Sequence, residues 1–582
     1  MVTRARWLLP DCSPSQAAPL AGSLGISLPA AAVLFRRGYR DAALARRFLE
    51  PSLDDLNDPF LMLGMREALE RLWRAISGGE KILLYGDYDV DGTTSVVLMK
   101  KAIELAGGEA RFYIPRRLTE GYGIHEAAIE QIAGEGTQLI VSLDTGIRAA
   151  AAVARARSLG VDVIVTDHHL PDAELPPASA VLNPKQPGCN YPEKELCGAG
   201  VAFKLVQALL GSLGWQETRV RRVTESFLKI VAIATIADVV PLRGENRVIV
   251  KHGLDGFRSI RNAGLRALLR VAGFADNEVP TAGQVAFRIA PRLNAAGRMA
   301  DPNDIVNLLL SRSEEESNAL AERLHNLNRE RQDVQAEIVR SILDACLETP
   351  VTDDQAALVF NGRDWHRGVL GIVASRLVEQ FHRPVFVLSE DAEGIAQGSG
   401  RSIPAFHLLE ALESMPDLFL RFGGHRQAAG LTLGASRTGE FRERLEACAA
   451  ARLSPSDFVP EIEVDATVSL PDLTDRAAAE LLSFAPFGFG NPAPVFVALG
   501  AEVAVAPAAL GDQHLRVTLR QNGRTLTLKA WNFAGRLEEF TPGARLDAVF
   551  SVEADDYAAA RGRPGWCAVL KDIRPAAAAA VA

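Results

Sequence analysis

The stretch Lys81-Ile-Leu-Leu-Tyr-Gly-Asp-Tyr-Asp-Val-Asp-Gly-Thr-Thr-Ser95 decides how this sequence folds. Residues 82–85 have the length and composition of a buried strand, and a helical pattern begins at Thr93. Between them stand three like charges: Asp87, Asp89 and Asp91. Burying such carboxylates is costly unless a positive charge compensates them, and a divalent cation usually does so. A solvated acidic loop is the alternative interpretation.

Strand-like and helix-like stretches alternate after this segment. We predict strands over 111–114, 139–143 and 161–166, and helices over 125–133 and 149–159. Such alternation is typical of βαβ units, so the sequence predicts a mostly parallel sheet and the α/β fold class.

Charged residues follow the predicted strands where a site is expected. The strand 139–143 ends in Asp144, and the strand 161–166 ends in the triplet Asp167-His168-His169. In open α/β sheets, sites form beyond the carboxyl ends of the strands. A pair of histidines is more often structural, but its position after a strand-end aspartate favours a functional interpretation.

Asp238 closes the apolar helical run 230–237 and adds a further candidate, although a simple helix-end aspartate is the alternative. Aspartate and histidine without cysteine favour Mn²⁺ or Mg²⁺ over structural zinc. The candidate ligands suffice for two ions that share one bridging carboxylate. They are Asp89, Asp91, Asp144, His168 and Asp238, with Asp87 close by.

Composition indicates an ordinary globular chain of several domains. The chain has 582 residues, of which 48% are hydrophobic and 23% charged, and its net charge is −9. The overall acidity does not indicate a protein coated in nucleic acid, but binding depends on a local basic face. No apolar run reaches the ~18 residues of a membrane span, and no signal peptide is recognisable. The six cysteines form no CxxC pair, so we expect a cytoplasmic protein without disulfides or a zinc site.

The pattern of helices, prolines and hairpin signals predicts the domain organisation. Residues 1–80 are mostly helical and are expected to pack on the catalytic domain, which spans 81–310. A connector helix over 311–348, capped by Ser311 and Glu314 and about 50 Å long, would be a strut between lobes. Residues 349–457 form a second α/β domain, 458–574 a small β-barrel with an Asn522-Gly523 hairpin, and 575–582 a disordered tail.

Three glycine-containing segments carry basic residues and are predicted as loops: 294–299, 398–402 and 423–430. Exposed backbone N–H groups and arginines in such loops suit a phosphate. The candidate phosphate-binding residues are Arg116, Arg117, Arg298, Ser399, Arg401, His425 and Arg426. The alternatives are a helix-entry turn at 423–430 and salt bridges between lobes for Arg298 and Arg401.

The triplet Asp167-His168-His169 resembles the motif that names the DHH phosphoesterase superfamily. The acidic stretch 87–92, Asp144, Asp238 and the segment 423–430 match the order and spacing of its other motifs. The segments 85–92, 294–299 and 484–492 are similar to those of its bacterial single-strand-specific exonucleases. The resemblance covers roughly residues 45–573.

The resemblance implies a DHH catalytic domain, a DHH-associated second domain (DHHA1) and a C-terminal OB-fold. It implies hydrolysis of single-stranded DNA from the 5′ end to mononucleotides, in recombination and repair. His169 would lie beside the scissile phosphate without binding metal. In the OB-fold, strand-binding candidates are Arg516, Arg520, Arg524, Lys529 and Trp531, although on spacing alone most would be a solvated strand face.

The partners that follow from this resemblance are single-stranded DNA, a single-strand-binding protein and a RecQ-type helicase, with the chain acting as a monomer. One competing hypothesis is a phosphodiesterase for short oligonucleotides or cyclic dinucleotides, but such an enzyme has no use for a strand-binding barrel. A catalytically dead scaffold is a third hypothesis, and the complete set of aspartates and histidines argues against it.

Overall fold

The computed structural model describes residues 5–10, 14–117, 119–121 and 123–576. They form two compact units. The first contains Asn57–Val240 and His252–Phe458. The second contains the residues up to Leu56, Pro241–Lys251 and the residues from Val459 onward. Among the described residues no single helix could span a membrane, although Ser15–Leu24 and Leu28–Arg36, bent by 109°, meet the length and composition criteria as a pair.

The N-terminal elements share a core with the C-terminal strands. These elements are β1 (Arg6–Leu8), α1 (Ala18–Leu24), α2 (Leu28–Arg36) and α3 (Ala42–Leu49). Val33 and Phe48 lie in the same apolar core as Phe496 and Phe550. The sequence analysis expected residues 1–80 to pack on the catalytic domain and did not predict this shared core, which covers the apolar faces of the residues up to Leu56.

The catalytic domain is built on a parallel sheet, as predicted. Its first elements are α4 (Met65–Gly78), β2 (Ile82–Gly86), α5 (Val90–Leu105), β3 (Ala110–Tyr113), α6 (Glu126–Gly134), β4 (Leu139–Leu143), α7 (Ala150–Ser158), β5 (Asp162–Thr166) and β6 (Ala180–Leu182). The strand order is β3-β2-β4-β5-β6, and every pair is parallel. β2 and β4 are buried throughout, because helices cover both faces of such a sheet.

Helices complete this domain. They are α8 (Gly198–Ser212), α9 (Glu217–Ala237), α11 (Ala263–Val271), α12 (Ala282–Gln284), α13 (Ala290–Met299), α14 (Asn303–Leu310) and α15 (Glu314–Glu348). Most of α10 (Gly244–Asp255) belongs to the other unit, which contains Pro241–Lys251. A π-helix at Val285–Ile289 leads into α13. The segment 294–299, predicted as a loop, is therefore the end of a helix.

The connector α15 begins later and packs more closely than predicted. Its N-cap is Ser313, whose hydroxyl accepts a hydrogen bond from the Glu316 N–H, so the expected capping by Ser311 is wrong. Leu324, Ile338 and Ile342 are buried. The helix is thus a core element as well as a connection, because it packs on α11, α13 and α16 (Leu370–Phe381).

The second α/β domain contains β7 (Leu358–Arg363), α16, β8 (Val385–Glu390), β9 (Ile395–Arg401), α17 (Leu408–Glu413), β10 (Arg421–Gly424), β11 (Ala428–Gly434) and α18 (Thr438–Ala450). The strand order is β10-β11-β9-β8-β7, and only β7 and β8 are parallel. Residues 398–401 therefore belong to a strand, and 423–430 form the end of a hairpin. Both were predicted as loops because glycine is uncommon within strands.

The C-terminal strands close into a ring. The elements are β12 (Glu461–Glu463), β13 (Ala466–Thr467), α19 (Asp475–Leu482), β14 (Val495–Val503), β15 (Ala508–Ala509), β16 (Leu515–Gln521), β17 (Arg524–Ala530), β18 (Arg545–Ala554), α20 (Asp556–Ala559) and β19 (Trp566–Pro575). The pairing runs β14-β18-β19-β17-β16 and returns to β14, so the predicted barrel is confirmed. Asn522 and Gly523 have the positive φ angles of the predicted hairpin turn, 50° and 78°. Of the predicted tail, residues 577–582 lie outside the described residues.

Candidate metal centre

The acidic loop after β2 is held against the start of α5. Asp89 is the N-cap of α5, and its carboxylate accepts a hydrogen bond from the Gly92 N–H at 3.1 Å. A Cβ atom on Gly92 would lie 2.5 Å from the backbone nitrogen of Asp87, so only glycine permits this approach. Asp87 is buried, and its Oδ1 accepts no hydrogen bond from the described residues.

Asp91 caps a second helix. Its two carboxylate oxygens accept hydrogen bonds from the N–H groups of Gly198 and Ala199, at 2.6 and 2.7 Å, where α8 begins. The positive end of that helix favours a negative charge there. Burial, followed by repulsion from Asp89, raises the pKa of Asp91 to about 7 despite these hydrogen bonds.

Asp144 directly follows β4 in a left-handed backbone conformation with φ 63°. Its N–H donates to the carbonyl oxygen of Thr166 at 2.9 Å, and its Oδ1 lies 3.2 Å from Nε2 of His168. Oδ1 accepts no hydrogen bond from the described residues. A Cβ atom on Gly198 would lie 2.5 Å from Asp144 Oδ1, so this glycine makes room for the carboxylate.

Asp167 orients the triplet that it begins. Its carboxylate accepts hydrogen bonds from the N–H groups of Ile147, His168 and His169, and it pairs with Nδ1 of His169 at 2.7 Å. Burial acts to raise the pKa of Asp167, but the hydrogen bond from His169 and its charge lower it below the ordinary value. Because these bonds occupy both oxygens, Asp167 positions its neighbours rather than facing the other carboxylates.

The two histidines of the triplet have pKa values that are shifted in opposite directions. Burial, with the charge of His169, lowers the pKa of His168 to about 3, so its imidazole is neutral and can bind a metal. For His169, burial acts to lower the pKa, but the hydrogen bond to Asp167 raises it overall. His168 Nε2 lies 3.7 Å from Asp238 Oδ2 and 3.9 Å from Asp91 Oδ2.

The side chains form groups whose ligand atoms lie within 4.8 Å of one another. They are Asp87, Asp89 and Asp144; Asp91, His168 and Asp238; and Asp144, His168 and His169. Asp144 thus adjoins both the acidic loop and the histidines. Burial, then repulsion from neighbouring carboxylates, raises the pKa of Asp144 and of Asp238 well above the ordinary value. Oxygen-rich ligands with unpartnered acceptors fit hard divalent cations such as Mn²⁺ and Mg²⁺.

Helix α13 lies against the acidic loop. Asn294 Oδ1 accepts a hydrogen bond from the Val90 N–H at 3.2 Å, and a Cβ atom on Gly297 would lie 2.2 Å from the carbonyl oxygen of Tyr88. Arg298 donates to the carbonyl oxygen of Gly368 in the second α/β domain at 3.3 Å. The segment 294–299 therefore joins the acidic loop to that domain.

Several arginines gather beside this helix. Burial, then the charge of Arg117, lowers the pKa of Arg298 to about 10, and the charge of Arg401 contributes to the shift. Burial, then Arg117, also lowers the pKa of Arg401. In the described part of the chain neither Arg298 nor Arg401 forms a salt bridge, so the proposed salt bridges between lobes are not found. Arg116 differs, because it pairs with Asp301 at 3.1 Å.

Of the three remaining predicted residues, Ser399 and His425 each line a cavity. Ser399 lines one of about 550 Å³ together with Arg117. His425 lines another, of about 480 Å³, with His169 and Arg148. Arg426 donates instead to the carbonyl oxygen of Pro404, at 3.1 Å through Nη2, and so stabilises the hairpin.

Asn183 is a site residue that the sequence analysis missed. It is fully buried after β6, and its Nδ2 donates to the carbonyl oxygen of His169 at 2.8 Å. Its Oδ1 accepts from the Lys185 N–H at 2.8 Å. The signal available in the sequence was Asn-Pro directly after a short apolar strand, at the same sheet edge as the other site residues.

Family models match three parts of the chain. Residues 81–235 match the DHH family, N-terminal domain; residues 354–451 match the DHHA1 domain; and residues 464–562 match the RecJ OB domain. The matches follow the order of the catalytic domain, the second α/β domain and the barrel.

Similar proteins cover most of the chain. The single-stranded-DNA-specific exonuclease RecJ of Bacillus subtilis is 40% identical over 96% of this chain and 70% of its own length. The crystal structure of Thermus thermophilus RecJ in complex with Mn²⁺ has a TM-score of 0.83 and 32% identity, over 99% of this chain and 81% of that one. The Mg²⁺ complex from the same organism has a TM-score of 0.76 and 30% identity, over 99% and 79%.

The buried repulsion at Asp144 predicts a measurable effect on stability. In EDTA, Asp144→Asn should raise the thermal midpoint by roughly 2–4 °C, the shift for about 1 kcal/mol in a typical domain, because one buried charge is removed. Asparagine tolerates the left-handed backbone. Mn²⁺ should then stabilise the variant less than the wild type, measured by calorimetry. Asp276→Asn, at an exposed aspartate, is the control. A lower midpoint for Asp144→Asn in EDTA would contradict the prediction.

Proposed function

This chain belongs to the RecJ family of single-stranded-DNA-specific exonucleases, and we propose that it hydrolyses single-stranded DNA from the 5′ end to mononucleotides in recombination and repair. The observation that carries the proposal is the position of Asp144. It lies within ligand distance of Asp87 and Asp89 on one side and of His168 on the other. One carboxylate between two ligand groups is what two adjacent cations require.

The proposed ligands are Asp89, Asp91, Asp144, His168 and Asp238, with Asp87 as a further ligand or a hydrogen-bonding neighbour. Two divalent cations, Mn²⁺ or Mg²⁺, would supply an activated water and neutralise the charge of the leaving oxygen when bound. The chain itself brings the carboxylates together and holds the His168 imidazole neutral. It also keeps Asp91 and Asp167 in place through backbone N–H groups.

His169 has a separate proposed role. Asp167 fixes its ring through Nδ1, and the side chain lines the cavity that it shares with His425. We propose that His169 donates a hydrogen bond to the scissile phosphate and binds no metal. His425 and Arg148, which also line that cavity, would contact the same DNA strand.

End-labelled strands test the reaction and the role of His169 together. With Mn²⁺ or Mg²⁺, a 5′-labelled strand should release labelled mononucleotide at once, whereas a 3′-labelled strand should yield a series of shortened products. EDTA should stop both reactions. His169→Ala should lower the rate by about 10²–10⁴-fold, the range for a positioned proton donor, and leave Mn²⁺ affinity within threefold of wild type by calorimetry. Early release from the 3′ label would refute the polarity, and loss of Mn²⁺ binding would refute the division of roles.

We propose that Arg117, Arg298 and Arg401, with Ser399, bind the terminal 5′ phosphate. A terminal phosphate carries more charge than an internal diester, and partly buried arginines that repel one another are stabilised by an anion. Arginine also donates two parallel hydrogen bonds to phosphate oxygens. The absence of acidic partners for Arg298 and Arg401 among the described residues supports this role. Arg116, which the sequence analysis also named, is left out of this proposal because Asp301 pairs with it.

Arg401→Ala should weaken binding of a 5′-phosphorylated strand by ~1.5–3 kcal/mol, the range for a charge-assisted hydrogen bond, and affect a 5′-hydroxyl strand much less. Arg116→Ala is the matched control, since it removes a paired and exposed arginine from the same region. Affinities are measured by fluorescence anisotropy in EDTA, so that no cleavage occurs. Equal losses for the two kinds of strand end would show that Arg401 does not bind the terminal phosphate.

We propose that residues 461–573 bind single-stranded DNA without taking part in its hydrolysis. Paired positions on β16 and β17 place Arg516, Thr518 and Arg520 on one face with Thr525, Thr527 and Lys529. Two of the basic residues are already in ion pairs, Arg520 with Glu502 and Lys529 with Asp555. Arg516 and the half-exposed Trp531 are therefore the first candidates to contact DNA, whereas Arg524 pairs with Gln521 and lies on the opposite face of these strands.

Trp531→Ala should weaken binding of long single strands by about 1–3 kcal/mol, the value of one base–aromatic stack, and leave short oligonucleotides unaffected. Tyr557→Ala is the control, because Tyr557 is 70% exposed in the same domain but lies on α20. A substitution is preferable to deleting the barrel, since deletion would expose the core that it shares with α1–α3. Equal affinities for Trp531→Ala and Tyr557→Ala would refute the assignment.

The protein partners inferred from the family stay predictions. A single-strand-binding protein and a RecQ-type helicase would supply the strand, and the chain would act as a monomer in the cytoplasm. Since the arginines are proposed to bind phosphate, affinity for single-stranded DNA should fall as salt rises.

A further inference from the structure

A cavity of about 550 Å³ lies beside the residues proposed to bind the terminal 5′ phosphate, and the proposed reaction leaves it without a role. Arg117 and Ser399 line part of its wall, whereas Arg298 and Arg401 are not among its lining residues. All of its lining residues belong to one compact unit. The volume is in the range of small-molecule sites, so the cavity has room for more than one phosphate group.

The floor of the cavity is one face of the sheet in the second α/β domain. Along β9, Arg401, Ser399 and Gln397 alternate with buried residues and therefore share this face. Gln397 pairs with Thr432 on β11, which pairs in turn with Arg421 on β10. This row of three side chains lies two residues beyond Ser399, a distance of about 7 Å along the strand.

Two glycines keep the floor open beside Ser399. Gly430 pairs with Ser399, and Gly423 pairs with Gly430. A Cβ atom on Gly423 would meet no atom within 4 Å, and one on Gly430 would meet only the carbonyl oxygen of Gly398, at 3.7 Å. At these two positions no side chain rises from the sheet, so a group bonded to the terminal phosphate can extend over it.

In the described part of the chain, three arginines line the cavity: Arg117, Arg367 and Arg421. Within these same described residues, Arg117 and Arg421 form no ion pair, whereas Arg367 pairs with Asp391 at 2.7 Å. The cavity also borders Leu370, where α16 begins, and the positive end of a helix favours an anion. Arginine side chains additionally donate paired hydrogen bonds to phosphate oxygens.

Glu120 is the one acidic residue among the described residues that line the cavity. Its carboxylate accepts hydrogen bonds from the Tyr113 hydroxyl and, at 2.8 Å, from the Arg116 N–H. These bonds hold the carboxylate against its own loop, so the arginines determine the charge of the cavity.

We propose that this cavity binds the second and third phosphates of a 5′-triphosphorylated strand. Arg117, Ser399 and Arg401 would hold the phosphate next to the sugar, and Arg421 would contact the phosphates beyond it, with Gln397 and Thr432 as further hydrogen-bonding groups. The chain then accepts 5′ ends that carry a triphosphate as well as those that carry one phosphate. The inference rests on the proposed terminal-phosphate site, and the test below separates the two.

The test uses the full chain and single strands that differ only at the 5′ end, which carries a hydroxyl, one phosphate or a triphosphate. Affinities are measured by fluorescence anisotropy in EDTA, so that no cleavage occurs, and the wild type should bind the triphosphorylated strand most tightly. Arg421→Ala should lower that affinity about tenfold, the loss of one charge-assisted hydrogen bond, and leave the affinity for the monophosphorylated strand unchanged. Arg376→Ala is the matched control, because Arg376 is an exposed arginine of α16 that does not line the cavity.

Gly423→Leu is a second variant, which fills the cavity instead of removing a charge. The open space above Gly423 lets a leucine fit within the strand, and the variant should weaken binding of the triphosphorylated strand alone. Because Arg421 is exposed, its truncation leaves the sheet intact and decides the matter if Gly423→Leu does not fold.

The inference would be overturned if the wild type bound the triphosphorylated strand more weakly than the monophosphorylated one. Losses in Arg421→Ala no larger than those in Arg376→Ala would overturn it as well. Free dATP that bound the wild type as tightly as the triphosphorylated strand would assign the cavity to a free nucleotide instead. Equal wild-type affinities for the hydroxyl and monophosphorylated strands would refute the terminal-phosphate site, and the inference with it.

Discussion

Mutual repulsion between buried carboxylates is the constraint on which the active region depends. A parallel sheet brings the carboxyl ends of its strands to one edge, so the residues that follow β2, β4 and β5 must lie near one another. Here those residues are mostly aspartates, and α9 contributes Asp238 to the same place. Without a cation the arrangement raises the pKa of several of these carboxyl groups. The candidate metal centre therefore lowers the stability of the folded protein. The helices and strands around the edge must supply the stability that holds it together.

The aspartates divide into two kinds by their hydrogen bonds. Asp91 and Asp167 accept from backbone N–H groups, which use most of their acceptor capacity on the scaffold. Asp87 and Asp144 each keep a buried oxygen with no donor among the described residues. Capping a helix does not exclude a proposed metal role, because Asp89 and Asp91 accept hydrogen bonds from helix N–H groups and are also candidate ligands. The local backbone, rather than the residue type, decides how much acceptor capacity each carboxylate keeps.

Much of the fold and of the site could be predicted from sequence, because both follow from local patterns. Apolar strands ending in aspartate predicted the sheet and its edge, and Asn522-Gly523 predicted the hairpin. The failures have physical causes. The segment 398–401 is part of a strand and 423–430 is the end of a hairpin despite their glycines. Close packing requires some of these glycines: a Cβ atom on Gly400 would lie 2.5 Å from the ring of Phe386. Asn183 and the partners of α1–α3 depend on contacts between residues far apart in the chain, which periodicity does not encode.

The core shared by the first and the last parts of the chain affects how the protein is made. About 400 residues lie between Leu56 and Val459, and at ~5–20 residues per second a ribosome needs roughly 20–80 s to synthesise them. During that time α1–α3 lack the strands that cover their apolar faces in the folded protein. Pro241–Lys251 belongs to the same late-forming unit. This unit is therefore completed only when its last strands leave the ribosome.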